Sequence, residues 1–272
     1  REIDPTRELW DNVARTILDP HARLFAEPDW LRFTDLREDA LYTSIIRTIA
    51  EGQHTPGDIA TAVGRKSATD ISDPLRRLVS FGITERRVPL TVSPNTRARP
   101  RYELADHFLA FWYRFIDRRR SMLRRRQAVP ALHEIRQEID TYIAQHVFEG
   151  ICREWVWEAI QGRILPHGLA VTDVGAWWGG TRTEQDEIDV VALGRGEAVL
   201  FGECKWSNAP MDLRDLGGLR KAIAAAQRDL NPIVHPWRVC FAKAGFSPDL
   251  ISAAASPDER LILIGPDQLY AI

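Results

Sequence analysis

Apolar residues recur at helical spacing through roughly the first 160 residues and at strand spacing in much of the rest of the chain. Three short helices are predicted first, at residues 40–50, 55–63 and 67–81, and each is followed by a glycine that ends it. Two strands are predicted next, at residues 83–90 and 101–104, with a basic, proline-containing loop between them.

Three short helices followed by a β-hairpin are the element order of a winged helix-turn-helix. In that arrangement the third helix enters the major groove of DNA, and the hairpin, or wing, lies along the backbone. A winged helix that binds another protein has the same pattern, so the elements alone leave the kind of partner open.

The second half of the chain is predicted to alternate helices and strands. The helix at 106–127 carries an aromatic cluster that is more typical of a core than of a platform for stacked bases. A long helical region follows at 130–161. The remaining predicted elements are strands at 174–178, 184–193 and 198–206, a helix at 213–230, a strand at 237–242, a helix at 248–255 and a strand at 260–264.

We therefore predict a mixed α/β (α+β) chain of four segments. These are a helical connecting segment at 1–39, the winged helix at 40–105, a helical linker at 106–145 and an αβββαβ domain at 146–272. The connecting segment carries no recognisable site chemistry.

Composition adds the class of protein and a charge asymmetry. An apolar content of 44% and a charged content of 27% are typical of a soluble globular protein. No signal peptide opens the chain and no apolar run approaches the roughly 20 residues of a membrane span, so we expect a cytoplasmic protein without a membrane partner. Three isolated cysteines, Cys152, Cys204 and Cys240, are predicted to be reduced core residues. Residues 76–126 carry 14 basic and 4 acidic side chains, which predicts an anionic partner.

Candidate chemistry concentrates at residues 184–206, where two apolar strands flank a Gly-rich turn. If residues 195–197 form the loop, Asp189 lies opposite Glu203, and paired strand residues have Cβ atoms about 5 Å apart. Lys205 shares the face of Glu203, because strand side chains two apart point the same way. Only 4 of the 36 basic residues are lysine, which favours a specific use for a compact ammonium here. An ordinary buried ion pair fits the same residues.

The Ile-Asp pair at 188–189 followed by Glu-x-Lys at 203–205 resembles the PD-(D/E)XK nuclease superfamily, whose core has the same order of elements. The resemblance implies a restriction-endonuclease-like fold and cleavage of nucleic-acid phosphodiesters. It also implies Mg²⁺, with Mn²⁺ as an alternative, held by Asp189, Glu203 and the carbonyl of Cys204. Lys205 would orient the attacking water or neutralise the transition state.

In that superfamily the helix before the first strand often supplies a further acid. Glu149 matches that position best, and Glu187 shares the strand face of Asp189 and could support it. Four more residues are left open between a site role and ordinary exposure: Glu154, Glu158, Lys221 and Gln227.

Nucleic-acid contact is predicted from basic side chains of the winged helix, which would neutralise phosphates and give a salt-dependent affinity. The predicted contacts are Arg65, Lys66, Arg76, Arg77, Arg86, Arg87, Arg97 and Arg99. Six further arginines at 118–126 are spread around their helix, so this segment either faces solvent or lies against an anion.

From about residue 20 to residue 272 the chain resembles the C-terminal part of archaeal-type (DEXX-box) ATPases, in which an ATPase domain precedes a winged helix and a nuclease-like domain. The chain has no GxxxxGK[ST] phosphate loop, so no residue is assigned to ATP. We expect a fragment or a shortened relative, with the ATPase domain in the same chain or in a partner chain.

The predicted function is a Mg²⁺-dependent nuclease, with DNA as the expected substrate, that its winged helix positions. The alternative is a regulatory module that binds DNA or a protein through a nuclease-like fold without cutting. A nuclease toxin or defence effector would share the chemistry and differ in its cellular role. The sequence does not indicate an oligomeric state.

Overall fold

The structure is a computed structural model that describes residues 3–30, 39–91, 100–162, 164–165, 170–180 and 185–271. The chain divides into two compact units. The first comprises Arg1–Arg87 and Pro100–Ile139, and the second comprises Val88–Arg99 and Asp140–Ile272.

The first unit is built from short helices and a two-stranded antiparallel sheet. Its helices are α1 (Leu9–Thr16), α2 (Arg23–Ala26), α3 (Asp39–Ala50), α4 (Pro56–Ala62), α5 (Ser72–Ser80), α6 (His107–Phe111), α7 (Arg120–Arg124) and α8 (Ala128–His146), of which α8 continues into the second unit. Its strands are β1 (Thr84–Arg87) and β2 (Arg101–Leu104).

Helices α3, α4 and α5 and the β1–β2 hairpin confirm the predicted element order. Thr55 caps α4, since its side chain accepts a hydrogen bond from the N–H of Asp58. The third predicted helix is divided into a 3₁₀ turn, Ala68–Ile71, and α5. The predicted apolar faces are buried, and their fully covered members include Ile45, Ile46, Ile59, Ile71, Leu75 and Leu78.

The helix predicted at 106–127 is continuous but irregular. Between α6 and α7 the chain forms a π-helix at Trp112–Ile116 and a 3₁₀ turn at Asp117–Arg119. Trp112 is 1% exposed, and its indole N–H donates to the carbonyl of Phe25 at 3.0 Å. Phe115 is fully buried, which confirms that the aromatic cluster is core.

The second unit has the predicted order of elements. In sequence they are α9 (Phe148–Gln161), β3 (Asp173–Gly180), β4 (Gln185–Gly194), β5 (Glu197–Lys205), α10 (Leu213–Leu230), β6 (Pro232–Ala242), α11 (Pro248–Ala254), β7 (Leu261–Ile264) and α12 (Pro266–Leu269). The strands form one sheet in the order β3-β4-β5-β6-β7, antiparallel from β3 to β5 and parallel from β5 to β7. The fold is therefore a mixed α+β fold.

Two apolar clusters cover the two faces of this sheet. Helices α10 and α11 contribute to one cluster, and α9 and α12 contribute to the other. Leu90, which was predicted to belong to the wing, packs against the α10 side and donates its N–H to the carbonyl of Ala176 on β3 at 2.8 Å. Leu90 thus pairs with the outer edge strand of the sheet of the second unit.

Two expectations from composition can be compared with the structure. In the described part of the chain, no helix has the length and apolarity to cross a membrane. The three cysteines are free, and Cys152 and Cys240 are buried as predicted, whereas Cys204 is half-buried.

Candidate active site

The hairpin that carries the predicted site has a shorter turn than expected. Arg195 and Gly196 alone connect β4 to β5, and both have positive φ, 55° and 84°. Two central residues of this kind match the right-handed twist of the strands. Glu197, predicted to lie in the loop, instead pairs with Gly194.

The register of the hairpin nevertheless brings the predicted residues level. A register shift after Ala192 offsets the shorter turn, and Val190 pairs with Gly202. The next residues outward along the two strands are Asp189 and Glu203. The β4–β5 pairing ends there, so these two carboxylates lie where the strands begin to separate.

Asp189 lies in a β-bulge against the other neighbouring strand. Ala176 of β3 lies opposite two residues of β4, Asp189 and Val190. Ile188 packs on the α10 side of the sheet, whereas Val190 packs on the α9 side. In a regular strand Ile188 and Val190 would share a face, because they are two residues apart. The bulge interrupts this alternation, and the Asp189 carboxylate lies beside Glu149 of α9.

Three carboxylates meet at this bulge. Oxygens of Glu149 on α9 and of Glu187 and Asp189 on β4 all lie within 4.8 Å of one another. Glu149 and Asp189 are half-buried and Glu187 is exposed. Among the described residues Glu203 stands outside this group of three, although the resemblance made it a metal ligand.

Arg153 joins the helix to the bulge. It lies one turn after Glu149 on α9, and its guanidinium donates to the Glu149 carboxylate at 3.2 Å and to the main-chain carbonyl of Asp189 at 2.8 Å. Its side chain is 14% exposed. The sequence analysis missed this residue, although its spacing of four from Glu149 is that of a helical ion pair.

The Asp189 carboxylate also contacts β5. Its Oδ2 accepts a hydrogen bond from the N–H of Cys204 at 2.8 Å. If the β4–β5 pairing continued, the N–H of Cys204 would donate to a main-chain carbonyl of β4. The Asp189 carboxylate accepts this hydrogen bond instead. Cys204 thus contributes its N–H to the site, and the metal-binding role of its carbonyl stays a prediction.

Glu203 and Lys205 lie on the α10 side of the sheet. Lys205 donates to Asp215 at the start of α10 at 2.7 Å and to the carbonyl of Pro210 at 3.2 Å. Asp215 also accepts from the N–H of Asp212 in the capping box that begins the helix. The sequence analysis missed Asp215, because an acid in the first turn of a helix is an ordinary capping feature.

Burial and like charge raise the pKa of two of these carboxyls. Burial, followed by the charges of Glu149 and Glu203, raises the pKa of Asp189 to about 8. Burial, followed by the charges of Asp215 and Glu149, raises the pKa of Glu203 to about 7. The carboxylates on the two faces of the sheet therefore act on one another at its end, and a bound cation would relieve their repulsion.

Six of the eight predicted nucleic-acid contacts lie in the first unit. Arg65, Lys66, Arg76, Arg77 and Arg86 are exposed, Arg87 is half-buried, and Arg97 and Arg99 lie outside the described residues. Arg76 forms an ion pair with Asp73 at 3.0 Å, and Arg87 forms one with Glu103 at 2.9 Å. Both arginines therefore have acidic neighbours within their own unit.

The residues that were left open have ordinary surroundings. Glu154, Glu158 and Gln227 are exposed, and Lys221 lies 3.9 Å from Asp186. The run of arginines is partly engaged inside the first unit, where Arg118 and Arg119 pair with acids of α8.

Comparison with known proteins gives a family likeness without an activity. Residues 112–216 match the family model DUF234, described as "Archaea bacterial proteins of unknown function". The chain is 30% identical over 208 residues to the uncharacterized protein MJECL04 of Methanocaldococcus jannaschii; the match spans 76% of this chain and 44% of that protein.

Two solved structures are distantly similar. Protein VC1899 from Vibrio cholerae has a TM-score of 0.31 and 13% identity, over 85% of this chain and 49% of that one. Can2 from Sulfobacillus thermosulfidooxidans, in complex with cyclic tetra-adenylate, has a TM-score of 0.29 and 8% identity, over 90% of this chain and 53% of that one. Likenesses at this level do not establish a shared fold.

Proposed function

We propose that this protein is a divalent-cation-dependent nuclease that hydrolyses nucleic-acid phosphodiesters, with DNA as the expected substrate. The observation that carries the proposal is the cluster of Glu149, Glu187 and Asp189, whose oxygens lie within 4.8 Å of one another. Such a cluster does not serve stability, because the burial of Asp189 and the nearby charge of Glu149 disfavour the charged form of Asp189 and raise its pKa. We infer that the second unit is a restriction-endonuclease-like domain.

The donor set fits Mg²⁺ or Mn²⁺. Carboxylate oxygens are hard ligands of the kind that these ions prefer, and the cluster offers no sulfur or imidazole. Asp189 and Glu149 would hold the ion, with Glu187 or Glu203 completing its protein ligands. Bound Mg²⁺ would lower the pKa of a coordinated water and stabilise charge that develops on the scissile phosphate.

Other side chains would position these groups. Arg153 bridges Glu149 and the main chain of Asp189, so it fixes the distance between the helix and the bulge. The ammonium of Lys205 is half-buried and tethered to Asp215. From there it would orient the attacking water or neutralise charge on the phosphate.

The first unit would guide the substrate. Exposed Arg65, Lys66, Arg77 and Arg86 would contact phosphates of duplex DNA through the winged helix. We also propose an ATPase domain as the companion of the chain, in the same polypeptide or in a partner, because residues 20–272 resemble the C-terminal part of archaeal-type ATPases. The chain spans 44% of the length of its relative from Methanocaldococcus jannaschii.

Cleavage assays test this proposal directly. Plasmid DNA, linear DNA and RNA incubated with the protein and Mg²⁺ or Mn²⁺ are expected to be cut, and EDTA is expected to stop the reaction. Lys205→Ala should lower the rate at least about 100-fold while Mg²⁺ still raises the melting temperature, because the carboxylates remain. Asp189→Asn should lose both the cleavage activity and the rise in melting temperature that Mg²⁺ produces.

The matched control is Glu197→Gln, which removes a carboxylate at the far end of the hairpin. This variant should keep both the cleavage activity and the stabilisation by Mg²⁺. Undiminished cleavage by Lys205→Ala would contradict the role given to this lysine. Nucleic-acid binding and cation-induced stabilisation without any cleavage by the wild type would identify the non-cleaving module instead.

A further inference from the structure

The outer face of α10 repeats one pattern every seven residues. A basic residue is followed, three and four positions later, by a pair of small residues, and the basic residue then recurs. At 100° per residue all these positions fall within an arc of about 120° on one side of the helix. This cationic face comprises Arg214, Gly217, Gly218, Lys221, Ala224, Ala225 and Arg228, and every one of these residues is exposed.

Charge on α10 is separated between its two sides. The acids of the helix are half-buried and engaged: Asp215 holds Lys205, and Asp229 accepts the indole N–H of Trp177 at 3.1 Å. The side chains of Arg214 and Lys221 are 93% and 65% exposed, although Arg214 is paired with the N-cap residue Asp212 at 2.6 Å and Lys221 lies 3.9 Å from Asp186. Residues 129–272 carry 13 basic and 20 acidic residues, so the basic side chains of α10 lie in a part of the chain that is acidic as a whole.

The fold does not explain the two glycines. A Cβ added at Gly217 or at Gly218 would meet nothing within 4 Å. Glycine in an exposed helix interior is disfavoured relative to alanine, because it orders more backbone for no packing gain. Packing within the described residues therefore gives no reason for the side-chain-free surface between Arg214 and Lys221.

The cationic face begins beside the candidate active site. Arg214 adjoins Asp215, which contacts Lys205. From Arg214 to Lys221, and again to Arg228, the helix rises about 10 Å. A chain of phosphates that enters the site along α10 would meet Arg228 and then Lys221, about 10 Å apart with small residues between them, before it reached Arg214, which is paired with Asp212.

We propose that the cationic face of α10 binds the phosphodiester backbone of the nucleic-acid strand that enters the active site. The glycine pair lets the backbone approach the helix closely, and Lys221 and Arg228 neutralise successive phosphates. The ion pair of Lys221 with Asp186 is long, at 3.9 Å, and the lysine side chain is 65% exposed, so a phosphate can compete for this ammonium. This assignment rests on the proposed function for the kind of ligand, but not on whether cleavage occurs.

Binding in EDTA tests the face separately from catalysis. Fluorescence anisotropy with labelled single-stranded and duplex DNA would compare the wild-type chain with Lys221→Gln/Arg228→Gln. We expect an affinity about five- to tenfold lower at low salt and a shallower dependence of affinity on salt, as for the loss of one or two phosphate contacts. Arg195→Asn is the control, since it removes one exposed charge at the far end of the hairpin where φ is positive.

Substitution of the two glycines provides a second test, in which thermal stability and DNA affinity are expected to change in opposite directions. Gly217→Ala/Gly218→Ala is expected to raise the melting temperature by about 2–6 °C, because alanine favours the helix. The same variant should bind DNA severalfold more weakly, since two methyl groups block the approach. A loss of affinity in a more stable protein excludes unfolding as its cause.

Two results would overturn the proposal. One is an affinity of Lys221→Gln/Arg228→Gln equal to that of Arg195→Asn, and the other is an unchanged affinity of the glycine variant. Absence of DNA binding by the wild type would overturn it as well. If these binding differences are found but no cation supports cleavage, the proposed hydrolysis fails and the binding face stands.

Discussion

At the scale of single residues, the surroundings of Asp189 have opposing effects on the pKa of its carboxyl group. Its carboxylate accepts the N–H of Cys204, which favours the charged form, yet burial and the nearby charges of Glu149 and Glu203 disfavour that form more strongly. The raised pKa of about 8 is the net result. A residue held in this way is costly to the folded state at neutral pH and is suited to a bound cation.

The unfavourable surroundings of the Asp189 carboxylate predict that Asp189→Asn changes the free energy of unfolding by an amount that depends on pH. Because the folded pKa of about 8 lies above the unfolded value of about 3.9, the folded state binds this proton more tightly, and the free energy of unfolding falls as pH rises between these values. Asparagine is neutral throughout and retains an acceptor for Cys204. Between pH 5 and pH 9 the free energy of unfolding of the variant relative to the wild type should therefore rise by up to about 4 kcal/mol.

Urea denaturation at the two pH values, without added cation, measures this difference. Glu197→Gln, at the exposed end of the hairpin, is the control and should show no such dependence on pH. A stabilisation by Asp189→Asn that was equal at pH 5 and pH 9 would contradict the assignment of the raised pKa to Asp189.

Among the elements, the packing of β4, β5 and β6 depends on one missing side chain. A Cβ at Gly202 would lie 2.8 Å from the Cβ of Val190 and 3.0 Å from the Cγ1 of Val239. Both valines are fully buried beneath α9. Gly202 therefore lets the neighbouring side chains close over β5 directly beside Glu203.

Gly202→Ala is expected to destabilise the protein by about 1–3 kcal/mol, because rigid β-branched neighbours must shift to admit the methyl group. The midpoint of chemical denaturation measures the effect. Gly217→Ala is the matched control, since the same substitution enters open space on α10 and should have the opposite sign. A neutral Gly202→Ala would mean that the strands tolerate the displacement.

At the scale of the whole molecule, basic charge is concentrated in the first unit, and part of it is used internally. The 14 basic residues of 76–126 include Arg118 and Arg119, which pair with Glu138. Arg77 on α5 and Arg86 on β1 are exposed. Those two side chains are therefore available for the phosphate contacts proposed for the winged helix.

Arg77→Gln/Arg86→Gln should lower the affinity for duplex DNA about five- to tenfold at low salt and reduce its salt dependence, whatever the DNA sequence. If the winged helix only positions the substrate, the cleavage rate at saturating DNA should stay unchanged. Arg15→Gln, an exposed arginine of α1, is the control. An affinity equal to that of this control would favour a protein partner for the winged helix.

The sequence by itself determined the order of the elements and the alignment of the hairpin. Apolar periodicity and turn residues are local properties, so they predicted the winged-helix elements and the α-β-β-β-α-β-α-β order without knowledge of distant contacts. They also placed Asp189 next to Glu203 in register, although the turn is one residue shorter than expected. The register shift after Ala192 compensated for that difference.

Only the tertiary structure decided which side chains meet. The bulge opposite Ala176 arises from pairing with β3. It turns the Asp189 carboxylate towards Glu149 and Glu187, while the main-chain carbonyl of Asp189 accepts from Arg153. On the other face, packing of α10 against the sheet gives Lys205 its partner Asp215. A strand pattern assigns a residue to a face by strict alternation, and a bulge formed with a distant strand breaks that alternation without leaving a signal in the local sequence.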